Sequence, residues 1–88
     1  MSYEIKVLKP FEKFYKKRTT KEKALINEKL MVLKNNPYDF QKIDIKKLKG
    51  YENRYRLRIM NYRILYEIHN EILVIVALDG DNRGDIYK

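Results

Sequence analysis

Four arginines within residues 54–63 are the side chains best suited to chemistry in this sequence. Arg54, Arg56 and Arg58 alternate with apolar residues, and Arg63 follows after a break of two residues. A guanidinium group keeps its charge at any physiological pH, and its planar fork of N–H donors matches the oxygens of a phosphate. The cluster therefore predicts a phosphate-bearing or acidic partner, and it could stabilise negative charge that develops in a reaction at phosphorus.

The rest of the composition excludes several other kinds of site. The 88 residues contain no Cys and a single His, His69, which we interpret as an exposed turn residue. The lack of Cys excludes a disulfide framework, a thiolate zinc site and a Cys nucleophile. One His excludes a ribonuclease site built on two histidines. The aspartates of residues 79–85 resemble the start of a calcium loop, but Arg83 stands at a ligand position. We predict no metal and no cofactor.

The alternation of side chains places the arginines on a strand hairpin. If Met60 and Asn61 form a two-residue turn, with Asn61 tolerating a left-handed backbone, Arg58 lies opposite Arg63. The four arginines then share one face of the sheet, and the apolar residues between them share the other. Like charges across a sheet destabilise it, so a face selected for stability alone would mix its signs. We therefore favour a polyanion-binding face over a merely solvated one.

The remaining patterns predict the elements that hold this hairpin. A strand is predicted at Tyr3–Leu8, a first helix opening at Pro10, and a second helix beginning near Thr20 after a Thr19–Glu22 capping box. Further strands are expected at residues 62–68 and 72–78, with a polar loop at 79–84 and a short last strand at 85–88. Together these predict one α+β domain, residues 1–88: an N-terminal strand, a helical hairpin, then an antiparallel β-meander with the helices packed on one face.

The charge is concentrated near the hairpin. The chain has 20 Lys+Arg against 12 Asp+Glu, a net +8, and residues 42–63 hold eight basic and two acidic side chains, a net +6. Lysines on the predicted helices fit either a solvated surface or contacts with an RNA backbone. No apolar run approaches the ~18 residues of a membrane span, and residues 1–10 lack a signal-peptide core. We expect a cytoplasmic protein with no membrane partner.

Several of these segments, taken together, resemble one protein family. The series is KLKG at 47–50, YRLRI at 55–59, YRILYEI at 62–68 and NRGDIYK at 82–88. As a set it is similar to the RelE family, in the RelE/ParE superfamily of toxins from type II toxin–antitoxin systems. The resemblance implies a RelE/ParE-like fold and a ribosome-dependent endoribonuclease that cleaves mRNA in the ribosomal A site. It also implies a RelB-like antitoxin as partner and a toxin–antitoxin hetero-oligomer.

The resemblance also suggests which residues act. The implied catalytic residues are Arg56, Arg58, Arg63, Arg83 and Tyr87. The basic side chains expected to contact RNA are Lys47, Lys49, Arg54, Lys21 and Lys23. The family prototype has lysines at the positions of Arg56 and Arg58, and arginine does not readily act as a base. The general base is therefore left open.

The implied reaction needs no metal. A ribose 2′-OH would attack the adjacent phosphate and leave a 2′,3′-cyclic phosphate and a 5′-OH, with the arginines stabilising the transition state. Arg83 would stand near the leaving oxygen, and Tyr87 would stack on a base. Two alternatives stay open: a ParE-type toxin that inhibits DNA gyrase without enzymatic activity, and a catalytically inactive RNA-binding relative.

Overall fold

A computed structural model describes residues 2–82 of the chain. Two helices and five strands follow one another in the order β1 (Glu4–Val7), α1 (Lys9–Lys16), α2 (Thr20–Asn35), β2 (Asp44–Lys47), β3 (Arg54–Ile59), β4 (Tyr62–His69) and β5 (Val74–Asn82). The predicted α+β class, with a helical hairpin ahead of hairpin-linked strands, is confirmed. The last strand predicted at 85–88 lies outside the described residues.

The strands form one mixed sheet in the order β1-β5-β4-β3-β2. Strands β2 to β5 pair antiparallel with their neighbours, as the predicted meander requires. Strand β1 joins the sheet parallel to β5, with Ile5 opposite Ile75. The N-terminal strand therefore closes one edge of the sheet, and the short strand β2 forms the other.

Local signals account for both helices. Pro10 stands in the first turn of α1, where a missing N–H costs nothing. At α2 the Thr19 hydroxyl accepts from the Glu22 amide at 3.1 Å while the Glu22 carboxylate accepts from the Thr19 amide at 2.8 Å, which confirms the capping box. Among residues 2–82 no helix is long and apolar enough to cross a membrane.

The core lies between the helices and one face of the sheet. Leu57, Ile64 and Tyr66 are fully buried on that face, and Ile26 and Leu33 of α2 are buried against it. The α1 side chain Phe14 packs so closely on β5 that a Cβ at Gly80 would overlap its ring. The opposite face of the sheet carries the arginines, together with apolar side chains such as Leu65 and Val76.

Four details differ from the sequence-based expectation. The short strand β2 at Asp44–Lys47 was not predicted. Residues 79–82 continue strand β5 instead of forming a loop, because they pair with Tyr62–Leu65 of β4. Residues 72 and 73 belong to the preceding turn. In the β3–β4 turn, the positive φ of 53° falls at Met60 and not at Asn61.

Candidate functional site

The predicted arginine face is present on the sheet. Ile59 pairs with Tyr62 and Arg58 with Arg63, so the two-residue turn and its register are confirmed. Arg56 lies opposite Leu65 on the same face. Arg54, Arg56, Arg58 and Arg63 therefore point away from the helices, as the alternation predicted.

The expectation that this face lacks balancing acids was wrong. Neighbouring strands bring a carboxylate to each arginine: Arg56 donates to Asp44 at 3.4 Å, Arg58 lies 3.7 Å from the same carboxylate, and Arg63 donates to Asp81 at 3.3 Å. Asp44 belongs to β2 and Asp81 to the part of β5 that the sequence predicted as a loop. Both acids could be recognised only after these segments had been assigned to strands.

Six cationic side chains line one open pocket beside these ion pairs, with Leu48 as the apolar member. The pocket has a volume of about 290 Å³, and its cations are Lys46, Lys47, Lys49, Arg56, Arg58 and Arg63. We call this the cationic pocket. Its arginines come from β3 and β4, and its lysines from β2 and the residues that follow it. Sequence reasoning did not select Lys46; the alternation of Asp44, Ile45 and Lys46 was a signal too short to stand out.

Two arginines of the cationic pocket have a side-chain nitrogen without a hydrogen-bond partner among the described residues. The Nε atoms of Arg58 and Arg63 are buried and have no hydrogen-bond partner among residues 2–82. The Arg56 side chain is only 11% exposed, so packing limits its freedom to turn away. Because these Nε atoms are closed off from solvent, an anion in the pocket would contact the terminal nitrogens of the partly exposed Arg58 and Arg63 side chains instead. The arrangement is therefore suited to binding an oxyanion.

Three predicted RNA contacts lie away from this pocket. Arg54 donates to Glu67 at 2.8 Å and its guanidinium lies 4.6 Å from the Tyr51 ring centre. Lys21 and Lys23 stand at the start of α2, in the helical layer, and the Lys23 ammonium lies 5.6 Å from the centre of a tyrosine ring. The structure thus brings Lys47 and Lys49 to the arginines but not the other three.

The remaining sequence-based assignments divide in two. Arg83 and Tyr87 lie outside the described residues, so their roles stay predictions. His69 is half-buried at the end of β4, where its Nε2 lies 3.1 Å from a Glu67 carboxylate oxygen, and the interpretation of it as an exposed turn residue was wrong. Neither His69 nor Glu67 lines the cationic pocket.

The chemistry open to the cationic pocket is electrostatic. It concentrates positive charge, offers N–H donors, and is lined by no His, Asp or Glu from residues 2–82. Such a site can hold a phosphate and stabilise additional negative charge on it. Reaction at that phosphate would depend on how the substrate is oriented.

Comparisons with known proteins agree on one family. Residues 5–83 match the family model described as the ParE toxin of the type II toxin–antitoxin system parDE. Putative toxin RelE1 of Methanocaldococcus jannaschii is 36% identical over 61 residues, which cover 69% of this chain and 68% of that toxin. Toxin RelE3 of the same organism is 45% identical over 40 residues, which span about half of each protein (46%).

A solved structure extends the likeness to the whole fold. The archaeal RelE–RelB complex from Pyrococcus horikoshii matches with a TM-score of 0.84 and 28% identity, over 96% of this chain and 98% of that one. The family match covers nearly all of the described residues, and the structural match preserves the order of helices and strands around the arginine face. The chain therefore belongs to the RelE/ParE family of type II toxins.

Proposed function

We propose that this toxin is a metal-independent endoribonuclease that cleaves mRNA in the A site of translating ribosomes in the cytoplasm. The observation that carries the proposal is the cationic pocket, which brings six Lys and Arg side chains together, among them the partly exposed Arg58 and Arg63. A scissile phosphate bound there would be contacted by the terminal nitrogens of these guanidinium groups. The carboxylates of Asp44 and Asp81 hold the guanidinium groups in place before the substrate arrives.

The reaction begins with attack of a ribose 2′-OH on its own 3′-phosphate, and the P–O bond to the 5′-oxygen of the next nucleotide breaks. Arg56, Arg58 and Arg63 stabilise the added negative charge of the phosphorane. The products are a 2′,3′-cyclic phosphate and a free 5′-OH. The ribosome supplies the orientation that is required when residues 2–82 bring no carboxylate or imidazole base into the pocket. Arg83 stabilises the leaving oxygen, and Tyr87 stacks on a base; both roles rest on the family resemblance.

The proposed partner is a RelB-like antitoxin. The P. horikoshii structure is a RelE–RelB complex, and its toxin chain shares this fold over nearly its full length. An antitoxin of that type would hold this toxin inactive in a hetero-oligomer. Acidic side chains on the antitoxin would be attracted to the concentrated positive charge of the arginine face.

The experiment maps mRNA 5′ ends by primer extension after the toxin is added to a translating extract. We expect new ends at A-site codons, only with ribosomes present, and a loss of about 10²- to 10³-fold in cleavage rate for Arg63→Ala. Lys6→Ala is the matched control, because Lys6 is an exposed residue of β1 on the same sheet face and does not line the cationic pocket. Normal cleavage by Arg63→Ala would refute the site.

A second candidate follows from the matching family model, which describes a ParE toxin. A toxin of that type would inhibit DNA gyrase and leave mRNA intact. A supercoiling assay run beside the primer-extension assay separates the two. Inhibition of supercoiling without new mRNA ends would establish the gyrase activity instead.

A further inference from the structure

Phe40 is an aromatic side chain that the core does not use. It is 64% exposed and lies in the turn between α2 and β2. The Phe40 amide donates to the Tyr38 carbonyl at 2.9 Å, and the Ile43 amide to the Asp39 carbonyl at 3.1 Å. Pro37 and Ile43 are buried on either side of it. The backbone of the turn therefore leaves the Phe40 ring on the surface of the molecule.

The surroundings of Phe40 carry positive charge. The ring lines a shallow depression with Lys29, Lys42, Asp44 and Arg58. Arg58 also lines the cationic pocket, so the two depressions adjoin through one guanidinium group. Among residues 2–82, Asp44 is the single acid that lines the depression, and it is engaged by Arg56 and Arg58, while the Lys42 ammonium lies 4.0 Å from the nearby Asp39 carboxylate. The depression has a net positive charge next to a free aromatic face.

The exposed tyrosines Tyr38 and Tyr51 differ from Phe40, because each of their rings already has a neighbour. The Tyr51 ring is covered by the Arg54 guanidinium at 4.6 Å, and the Tyr38 ring packs edge-on against Tyr55 at 6.0 Å. Within residues 2–82, Phe40 takes part in no ring–ring or cation–π contact. A planar ring left open beside cations is the combination that single-stranded RNA-binding surfaces use: bases stack on the ring and phosphates contact the cations.

We propose that Phe40 is a stacking platform for a nucleobase of single-stranded RNA, one that adjoins the phosphate held in the cationic pocket. The inference rests on the proposed function only in taking RNA as the ligand. Arg58 contacts the phosphate shared by the two depressions, and Lys42 and Lys29 contact the backbone beyond the stacked base. Because every base has a π-face, this platform contributes affinity with little sequence preference.

The test measures binding without cleavage. A fluorescently labelled 2′-O-methyl RNA tetranucleotide, whose blocked 2′-oxygens cannot attack, is titrated with toxin at low ionic strength and followed by anisotropy. Phe40→Ala should weaken binding about tenfold, the effect of losing one stacked base. Phe40→Trp should retain the affinity of the unaltered toxin. Ile72→Ala is the matched control, because Ile72 is equally exposed (68%) in the β4–β5 turn, and it should change nothing.

An abasic series locates the base. One nucleotide at a time is replaced by an abasic residue. For the unaltered toxin, RNA affinity should fall at one position of the series. At that position the abasic change should lower the affinity of Phe40→Ala only slightly, because the stacked pair is already lost. The proposal is overturned if the unaltered toxin does not bind, if Phe40→Ala binds equally well, or if no position shows this coupling. It is also overturned if Phe40→Ala impairs only neutralisation by the antitoxin, since Phe40 would then belong to a protein interface.

The stacking proposal and the nuclease proposal fail separately. Coupled RNA binding without mRNA cleavage in the extract would support the platform and refute the nuclease. Cleavage by a toxin whose RNA affinity does not depend on Phe40 would do the reverse.

Discussion

Arg58 and Arg63 face each other across the β3–β4 hairpin, and the sheet accommodates their repulsion with acids from strands on either side. Asp44 lies near Arg58 at 3.7 Å, and Asp81 accepts from Arg63 at 3.3 Å. Each acid engages the terminal nitrogens and leaves the buried Nε without a partner. The ion pairs therefore reduce the repulsion through one terminal nitrogen of each arginine.

Removing one of these acids should lower the stability of the fold but strengthen RNA binding. We expect Asp81→Asn to lower the free energy of unfolding by about 1 kcal/mol or less, since the pair is partly exposed. The same change should tighten binding of the 2′-O-methyl tetranucleotide a few-fold, because Arg63 loses its competing carboxylate. Chemical denaturation and anisotropy titrations measure the two effects.

Asp79→Asn is the matched control for this prediction. Asp79 lies on the same face of β5, loses the same charge, and bonds only to the Gly80 amide among the described side-chain contacts. If both variants tighten RNA binding equally, the effect comes from net charge and the specific role given to Asp81 is wrong.

At the residue scale, the sequence could reveal the arginines but not their acids. Alternation of Arg54, Arg56 and Arg58 is a local pattern, and it predicted their shared face correctly. Asp44 and Asp81 reach that face through strand pairings that join distant parts of the chain. Lys46 was missed because β2 has only four residues and no strong pattern of its own.

Strand β5 and helix α1 depend on Gly80 for their close approach. A Cβ at this position would overlap the Phe14 ring, which is buried and also packs against Tyr62 at a centroid distance of 5.5 Å. We expect Gly80→Ala to destabilise the protein by about 1–3 kcal/mol, the usual cost of overpacking. Thermal or chemical denaturation measures the loss.

The double variant gives that prediction its control. Phe14→Leu is itself destabilising, but it removes the ring that the new methyl group would meet. Gly80→Ala should therefore cost less in the Phe14→Leu background than in the unaltered protein. Additive losses would show that the effect of Gly80→Ala has another origin, such as the backbone of β5.

At the element scale, prediction succeeded where the signal is local. The capping box of α2 and the two-residue turn of the hairpin are each specified by neighbouring residues. The prediction of a loop at residues 79–82 was wrong because Asp, Gly and Asn favour turns. Pairing with β4, together with a register shift between Leu65 and Tyr66, keeps them in the sheet. No local pattern reports such a shift.

The whole molecule has two layers, the helices and the sheet. Carboxylate side chains connect their elements. Glu22 of α2 accepts from the Tyr62 hydroxyl of β4 at 2.5 Å, and Glu67 of β4 accepts from Arg54 of β3 at 2.8 Å. The hydrogen bond from Tyr62 lowers the pKa of Glu22, and the hydrogen bond from Arg54 lowers the pKa of Glu67. Both groups favour the folded state in their ionised form.

Stability should therefore fall in acid. A carboxyl group whose pKa is lower in the folded state stabilises it fully above the unfolded value, here the ordinary 4.5, and this contribution disappears as the pH falls through the folded pKa. We expect the denaturation midpoint to drop as the pH is taken below about 4.5. Glu67→Gln should make that drop shallower. Glu71→Gln, in an exposed turn, should leave it unchanged; equal slopes in all three proteins would contradict the assignment.

The parallel pairing of β1 with β5 has a consequence for how this polypeptide is made. Glu4 pairs with Val74, so strand β1 has no neighbour in the sheet until strand β5 has been synthesised, about 70 residues later. Contacts this distant in sequence slow folding, because a long loop must close before they form. Asp81, which pairs with Arg63, is synthesised later still. A nascent copy therefore completes its sheet and its arginine face only after residues 74–82 have been synthesised.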